Sequence, residues 1–124
     1  MSSISEYHTE LDIIATDHAG CMDIHDLCEA AAKSISKAQS KQCIRFLSNF
    51  KAMEQHFDAG EISVIIEYLR GFGLTANVRQ AVLFRDAPAD NTDLETYATL
   101  CRSRGFNVRG FSDHDEAIAW LLQK

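Results

Sequence analysis

An α/β fold is predicted: repeated βαβ units forming a mostly parallel sheet of four to five strands, covered by about four helices. Three observations carry this reading. Short apolar runs alternate with stretches of helical periodicity four times along the chain. Each helical stretch opens on a pair of polar residues three apart, as in a capping box. Glycines stand where two of the helices must stop, at Gly73 and Gly105.

Taken in order, "LDIIAT" (11–16) reads as the first strand, and helical spacing follows from about Asp23 to Gln39. "QCIRFLSN" (42–49) reads as the second strand, and a helix runs from about Gly60 to Phe72. "VRQAVLF" (78–84) is the third strand, followed by a helix from about Asp93 to Arg104. "NVRGF" (107–111) is the fourth, and a last helix starts at about Asp113. The segment before Leu11 is short, so an extra N-terminal strand is expected to be shortened or absent. The capping pairs are Asp23 with Asp26, Asp58 with Glu61, Thr92 with Glu95, and Asp113 with Glu116. Capping accounts for these carboxylate pairs without any acid–base chemistry.

The helix faces agree with burial at the i, i+3, i+4, i+7 spacing. The stripes are Ile24, Leu27, Cys28, Ala31 and Ile35; then Ile62, Ile65, Ile66, Leu69 and Phe72; then Leu94, Tyr97, Ala98 and Cys101; then Ala117, Ile118, Leu121 and Leu122. Cys101 therefore reads as a small core residue rather than a nucleophile.

A chain of 124 residues is most simply one domain, here 1–124. Its formal net charge of −6 and the absence of a basic cluster argue against a nucleic-acid partner. The N-terminal "MSSISEYHTELDII" has no basic region followed by an apolar run, and no apolar stretch approaches a membrane span. A cytoplasmic location is expected, with Cys21, Cys28, Cys43 and Cys101 as thiols. No G-x-G-x-x-G, no Gly-Lys-Ser/Thr loop and no G-x-S-x-G elbow is present, which removes the usual dinucleotide, nucleotide and hydrolase signatures.

"DHAGCMDIHDLC" (17–28) is the one stretch dense in metal-ligating side chains: His18, Cys21, His25 and Cys28. These residue types suit zinc. The spacing suits it poorly, because structural zinc sites usually separate their two ligand pairs by a dozen or more residues and here three intervene. His18 and Cys21 are expected in the strand-to-helix connection, Cys28 on the inward stripe, and the histidines in solvent. A Cys28–His25 nucleophile is the other sharp reading, and an inward thiol loses that reactivity.

The last third, "RQAVLFRD" and then "RGFNVRGFSDHDEAIAWL", resembles the SpoIIAA-like family within the STAS/SEC14 group. The carrying residues are Phe111, Ser112, Asp113, His114, Asp115, Glu116, Ala117, Trp120 and Leu121, with Gly20, Asp23 and Asp26 earlier. The resemblance implies a small sandwich of helices on a sheet, with no catalysis and no cofactor. The loop comparable to the phosphorylated serine loop of STAS proteins is "FDAGEIS", which keeps Asp58 and Gly60 but has Ala59 at the acceptor, with Ser63 a turn further on. The usual acid at the end of the second strand is replaced by Ser48 and Asn49. The SEC14 side of the group implies an apolar ligand, for which Phe46, Phe50, Met53, Phe57 and Phe72 around the long "FKAMEQHFDAG" connection are the candidate lining.

The expectation is a non-enzymatic binding or regulatory domain. The partners it admits are a protein, a second copy as a homodimer, or an apolar small molecule. The candidate surface is Phe50, Met53, Phe57, Asp58, Ser63 and Tyr68, with Tyr97 beside them. The opposing reading is a metal protein or thiol enzyme built on His18, Cys21, His25 and Cys28.

Overall fold

A computed structural model describes residues 2–21, 23–53, 59–71, 78–84 and 92–123. Its five strands are β1 (Ser2–His8), β2 (Ile13–Gly20), β3 (Arg45–Met53), β4 (Arg79–Leu83) and β5 (Asn107–Phe111). Its four helices are α1 (Ile24–Lys41), α2 (Ala59–Gly71), α3 (Thr92–Ser103) and α4 (His114–Leu121). The strands lie side by side in chain order, β1-β2-β3-β4-β5. β1 is antiparallel to β2, and the other pairings are parallel. The described residues are thus α/β, with a mostly parallel five-stranded sheet and four helices.

Because β2 to β5 step in one direction, right-handed crossovers put every connecting helix on the same face. The larger core lies there, where Ile14, Phe46, Val82 and Val108 of the sheet meet Leu27, Ile35, Ile62, Ile66 and Cys101 of α1, α2 and α3. α4 follows the last strand and is no crossover, so it is free to cover the opposite face. There Ala117, Trp120 and Leu121 pack on Ile13, Leu47, Ala81 and Leu83. Alternation along each strand sends neighbouring residues such as Ile13 and Ile14 into different cores.

The inward stripes of α1 and α2 are as read from the sequence, although Phe72 falls outside the described residues. Tyr97, Ala98 and Cys101 of α3 are buried. In α4 the stripe differs: Trp120 is buried and Leu122, which follows the helix, is 39% exposed. Leu122 is the C-cap of α4, its amide still bonded to the Ile118 carbonyl at 3.1 Å. Asp23 and Asp26 form a complete capping box on α1, and Asp113 accepts from the Glu116 amide at α4. Thr92 is itself the first residue of α3, one position past the expected cap. Asp58 and Gly73 lie outside the described residues.

Three boundaries move. The N-terminal strand is neither shortened nor absent: β1 pairs with β2 over seven residues and is the fifth of the four to five strands expected. Its inner face is Ser3, Ser5 and Tyr7, so it lacks the apolar alternation that marks a strand. β2 runs on to Gly20, through Asp17 and His18, because these polar residues find partners inside the sheet. The second parallel strand starts at Arg45 rather than Gln42, and extends to Met53. Gln42 instead ends α1 in the left-handed region at φ 53°, and the Cys43 amide bonds back to the Ala38 carbonyl at 2.9 Å. Gly105 does the same for α3 at φ +87°, with the Phe106 amide bonded to the Cys101 carbonyl at 2.9 Å. These are two closures of one type, one built on glycine and one on a residue with a Cβ.

The pair makes a test. A side chain costs about 1 kcal/mol in the left-handed region. Gln42→Gly is predicted to raise stability by about 0.5 kcal/mol, and Gly105→Ala, whose Cβ meets nothing within 4 Å, to lower it by about 1 kcal/mol. Urea unfolding of both variants checks the opposite signs.

Candidate functional site

The helix-covered face of the sheet carries polar side chains that the apolar pattern does not reveal. Ser5 of β1, Thr16 of β2 and Ser34 of α1 form a closed triangle of hydroxyls, with separations of 2.9, 2.8 and 2.8 Å. Each hydroxyl carries one proton and can accept another, so three protons satisfy three bonds. The ring is self-sufficient and fastens α1 to the β1–β2 hairpin. Lys37 of α1 adds a second fastening, its ammonium donating to the Ser5 carbonyl at 2.6 Å. A separate chain runs from Tyr97 of α3, whose hydroxyl donates to Gln80 at 2.6 Å, to Ser48 of β3, which accepts from the Gln80 amide at 2.9 Å.

These contacts decide the cluster of residues 17–28. His18 is within β2, not in the connection, and it is 6% exposed rather than solvated. Its Nδ1 meets the Ser3 hydroxyl at 2.8 Å, and its ring stacks on Phe50 with centroids 4.6 Å apart. Burial pushes its pKa down to about 4, with nearby Asp17 pulling weakly the other way. The imidazole is therefore neutral across the physiological range. Cys21 and His25 are exposed, whereas Cys28 is buried in the apolar stripe of α1 and its thiol pKa is raised by that burial. The four side chains are distributed between interior and surface. Among the described residues no three His, Cys, Asp or Glu side chains converge on a point where an ion could sit.

The other buried thiols are held protonated in the same way. Burial raises Cys43, and it raises Cys101 to about 11. Cys43 lies at the foot of the β1–β2 hairpin, where its thiol donates to the Asp12 carbonyl at 3.2 Å. Asp12 is a structural hub. Its carboxylate accepts from the Tyr7 hydroxyl at 2.8 Å and pairs with Arg45 at 3.3 Å.

The expected partner surface is divided by the structure. Phe46 is a core residue, and Phe50 is half-buried against that core and against His18. Tyr97, expected at the surface, is 8% exposed and turned inward to Gln80. A tyrosine at an apolar helical position takes its ring into the core and brings its hydroxyl to a partner there. Phe57 and Asp58 lie outside the described residues, as does the side chain of Met53. Ser63 is half-buried on α2, and Tyr68 is 39% exposed.

One residue was missed. Val64 is 56% exposed, a turn before Tyr68 on the outer side of α2. Val64 falls outside the Ile62, Ile65, Ile66, Leu69 stripe, which is the signal that placed it on the opposite side. α2 is therefore apolar inward and carries an apolar pair outward, unlike α1, whose outer side is charged.

No protein-family model matches the chain, and no curated protein matches its sequence. No helix among the described residues is long and apolar enough to cross a membrane.

The buried imidazole generates a pH test. The unfolded chain protonates His18 near pH 6.5, and the folded chain only near 4. Stability is full above the unfolded value and falls as pH drops from 6.5 towards 4, because the unfolded state binds the extra proton. The predicted loss is roughly 3 kcal/mol by the lower limit of that window. Denaturant unfolding at neutral pH and at about pH 4.5 is expected to show a loss in the native chain that is smaller by about 2 kcal/mol in His18→Gln.

Proposed function

We propose that the chain is a non-enzymatic, cytoplasmic binding domain of the SpoIIAA-like, STAS/SEC14 type, and that a protein partner docks on the outer side of α2. The observation that carries this reading is the exposed apolar pair Val64 and Tyr68 on a helix whose inner side already fills the core. Apolar side chains one turn apart are the usual anchors by which a helix meets a partner. Ser63 borders the pair, and Glu67 and Arg70 give it a charged margin, paired with each other at 3.7 Å. A polar rim around an apolar centre is the ordinary make-up of a partner surface.

Topology supports the absence of an enzyme-type cleft. In open α/β sheets the ligand crevice forms where strand order reverses and neighbouring crossovers part to opposite faces. Here the order is unbroken from β2 to β5. The hydroxyls of Ser5, Thr16 and Ser34 on the helix-covered face are closed on one another, and three thiols are buried. An apolar small-molecule pocket around Phe46 and Phe50 is the weaker reading, because both rings pack against the core.

Val64→Asp with Tyr68→Ser tests the docking reading. Both positions are exposed, so unfolding stability is expected to change by less than about 0.5 kcal/mol. Cross-linking of the tag-free chain in its native lysate, read by mass spectrometry, is expected to give a partner joined at residues 60–71. The double variant is expected to lose that partner. A partner retained by the variant, or one joined elsewhere on the chain, rules out α2 as the docking side.

A further inference from the structure

The flank of α1 that faces the β1–β2 hairpin is not an ordinary charged helix face. An open groove of about 770 Å³ lies there, bordered on one side by Lys33, Ser36, Lys37, Ser40 and Lys41 and on the other by Tyr7 and Thr9. Three of the chain's five lysines line it, in a protein of net charge −6, and no Asp or Glu is part of the lining. The lysines recur every fourth residue, so they stand along one edge of the helix over about 12 Å. Among the described residues none of the three has a carboxylate within ion-pairing distance.

The arginines behave differently. Arg45 pairs with Asp12, and Arg70 and Arg104 reach Glu67. Arg79 and Arg102 bond backbone carbonyls. These arginines are committed to holding the fold, whereas of the groove lysines only Lys37 has such a duty, and Lys33 and Lys41 stand beside open space. Lys37 is anchored to the Ser5 carbonyl at 2.6 Å, and the Lys41 ammonium lies 5.6 Å from the centre of the Tyr7 ring. The Tyr7 hydroxyl is turned away to Asp12. Ser36 and Thr9 add neutral hydroxyl donors between the charges.

We propose that this groove is a binding site for a small molecule bearing two or more phosphate groups. Lysine ammonium groups act as point charges and donate to phosphate oxygens in many orientations. A single phosphate spans too little of the 12 Å edge to meet more than two of them, and a second or third phosphate uses the rest. A concave site in an acidic protein focuses the positive potential and repels long polyanions from the surface around it. This reading does not depend on the partner docked at α2.

The test uses inorganic tripolyphosphate as probe, with the full chain, followed by calorimetry and by backbone amide shifts. Saturable one-to-one binding is expected, with shifts confined to residues 7–9 and 32–41 and affinity falling as salt is raised. Lys33→Gln with Lys41→Gln leaves the Lys37 anchor in place, and is expected to weaken binding by about tenfold or more. Arg109→Gln, which removes an exposed charge from β5, is expected to leave it unchanged. Thermal unfolding of each variant confirms that it is folded. Failure to saturate, equal binding in the double lysine variant, or equal weakening in Arg109→Gln overturns the site. Co-sedimentation with phosphatidylcholine vesicles containing phosphatidylinositol bisphosphate, whose headgroup carries more than one phosphate, separates the sources. Sedimentation that tripolyphosphate and the lysine variant both abolish assigns a lipid headgroup. No sedimentation, with tripolyphosphate bound, assigns a soluble phosphate compound. Both uphold the groove.

Discussion

A parallel strand–helix–strand crossover closes in one hand, and the helix it carries must lie on the face that this hand selects. β2, β3, β4 and β5 are laid down in chain order, so three successive crossovers select the same face. α1, α2 and α3 become one layer for that reason, each beside the next. The opposite face would be left bare over its parallel strands. α4 can fill that role because no strand follows it in the sheet. The same monotonic order contains no point at which neighbouring crossovers diverge to opposite faces. The two surfaces proposed for binding lie on the outside of the helix layer and at its margin, where β1 joins the sheet.

The margin depends on a division between the two kinds of cation. α4 has no basic residue in its last turn, and its terminal carbonyls need donors from elsewhere. Arg45 supplies one, its Nε donating to the Leu121 carbonyl at 3.0 Å. Arg79 supplies the other, donating to the Trp120 carbonyl at 3.0 Å and the Gln123 carbonyl at 2.6 Å while its guanidinium lies over the Trp120 ring. Both arginines come from the starts of parallel strands, which the unbroken order brings side by side, with Arg45 opposite Arg79. A planar guanidinium with several fixed donors suits this task. Arg45 also holds Asp12 and so links α4 to the β1–β2 turn. The lysines of α1 are spared such duties, apart from Lys37.

The elements with strong apolar periodicity were legible in the sequence, because their signal is the burial itself. β5 over 107–111 and the inward stripe Ile62, Ile65, Ile66 and Leu69 are the clearest cases. β1 was not legible, since Ser3 and Ser5 face inward and replace apolar contacts with hydroxyl bonds whose partners, His18, Thr16 and Ser34, are far along the chain. The placement of His18 failed for the same reason: a histidine reads as polar, but its burial depends on Ser3 and Phe50, which no local pattern connects to it. Tyr97 was legible as a core position by spacing and misread as surface by its hydroxyl. The lysine edge was written plainly in "KSISKAQSK", at every fourth residue. A count over the whole chain hides it behind a net negative charge, because a local field is set by what lines a concavity rather than by the sum.

The hydroxyl ring joins these threads. Serine and threonine inside a helix–sheet interface contribute less apolar burial than valine or alanine, and an unsatisfied hydroxyl there costs about 1–3 kcal/mol. The ring of Ser5, Thr16 and Ser34 avoids that penalty only in one arrangement of β1, β2 and α1. A slip of β1 by one residue along β2 would turn Ser5 outward, bring Ile4 or Glu6 under the helix and leave Thr16 and Ser34 short of a partner. The ring therefore fixes register where apolar packing is thin, as satisfied polar networks do. Fixing β1 also fixes the wall of the lysine groove, because Tyr7 and Thr9 continue the same strand and turn. The buried polar residues of this face thus act through position. They hold the hairpin against α1 and leave the solvent side of that junction to the lysines.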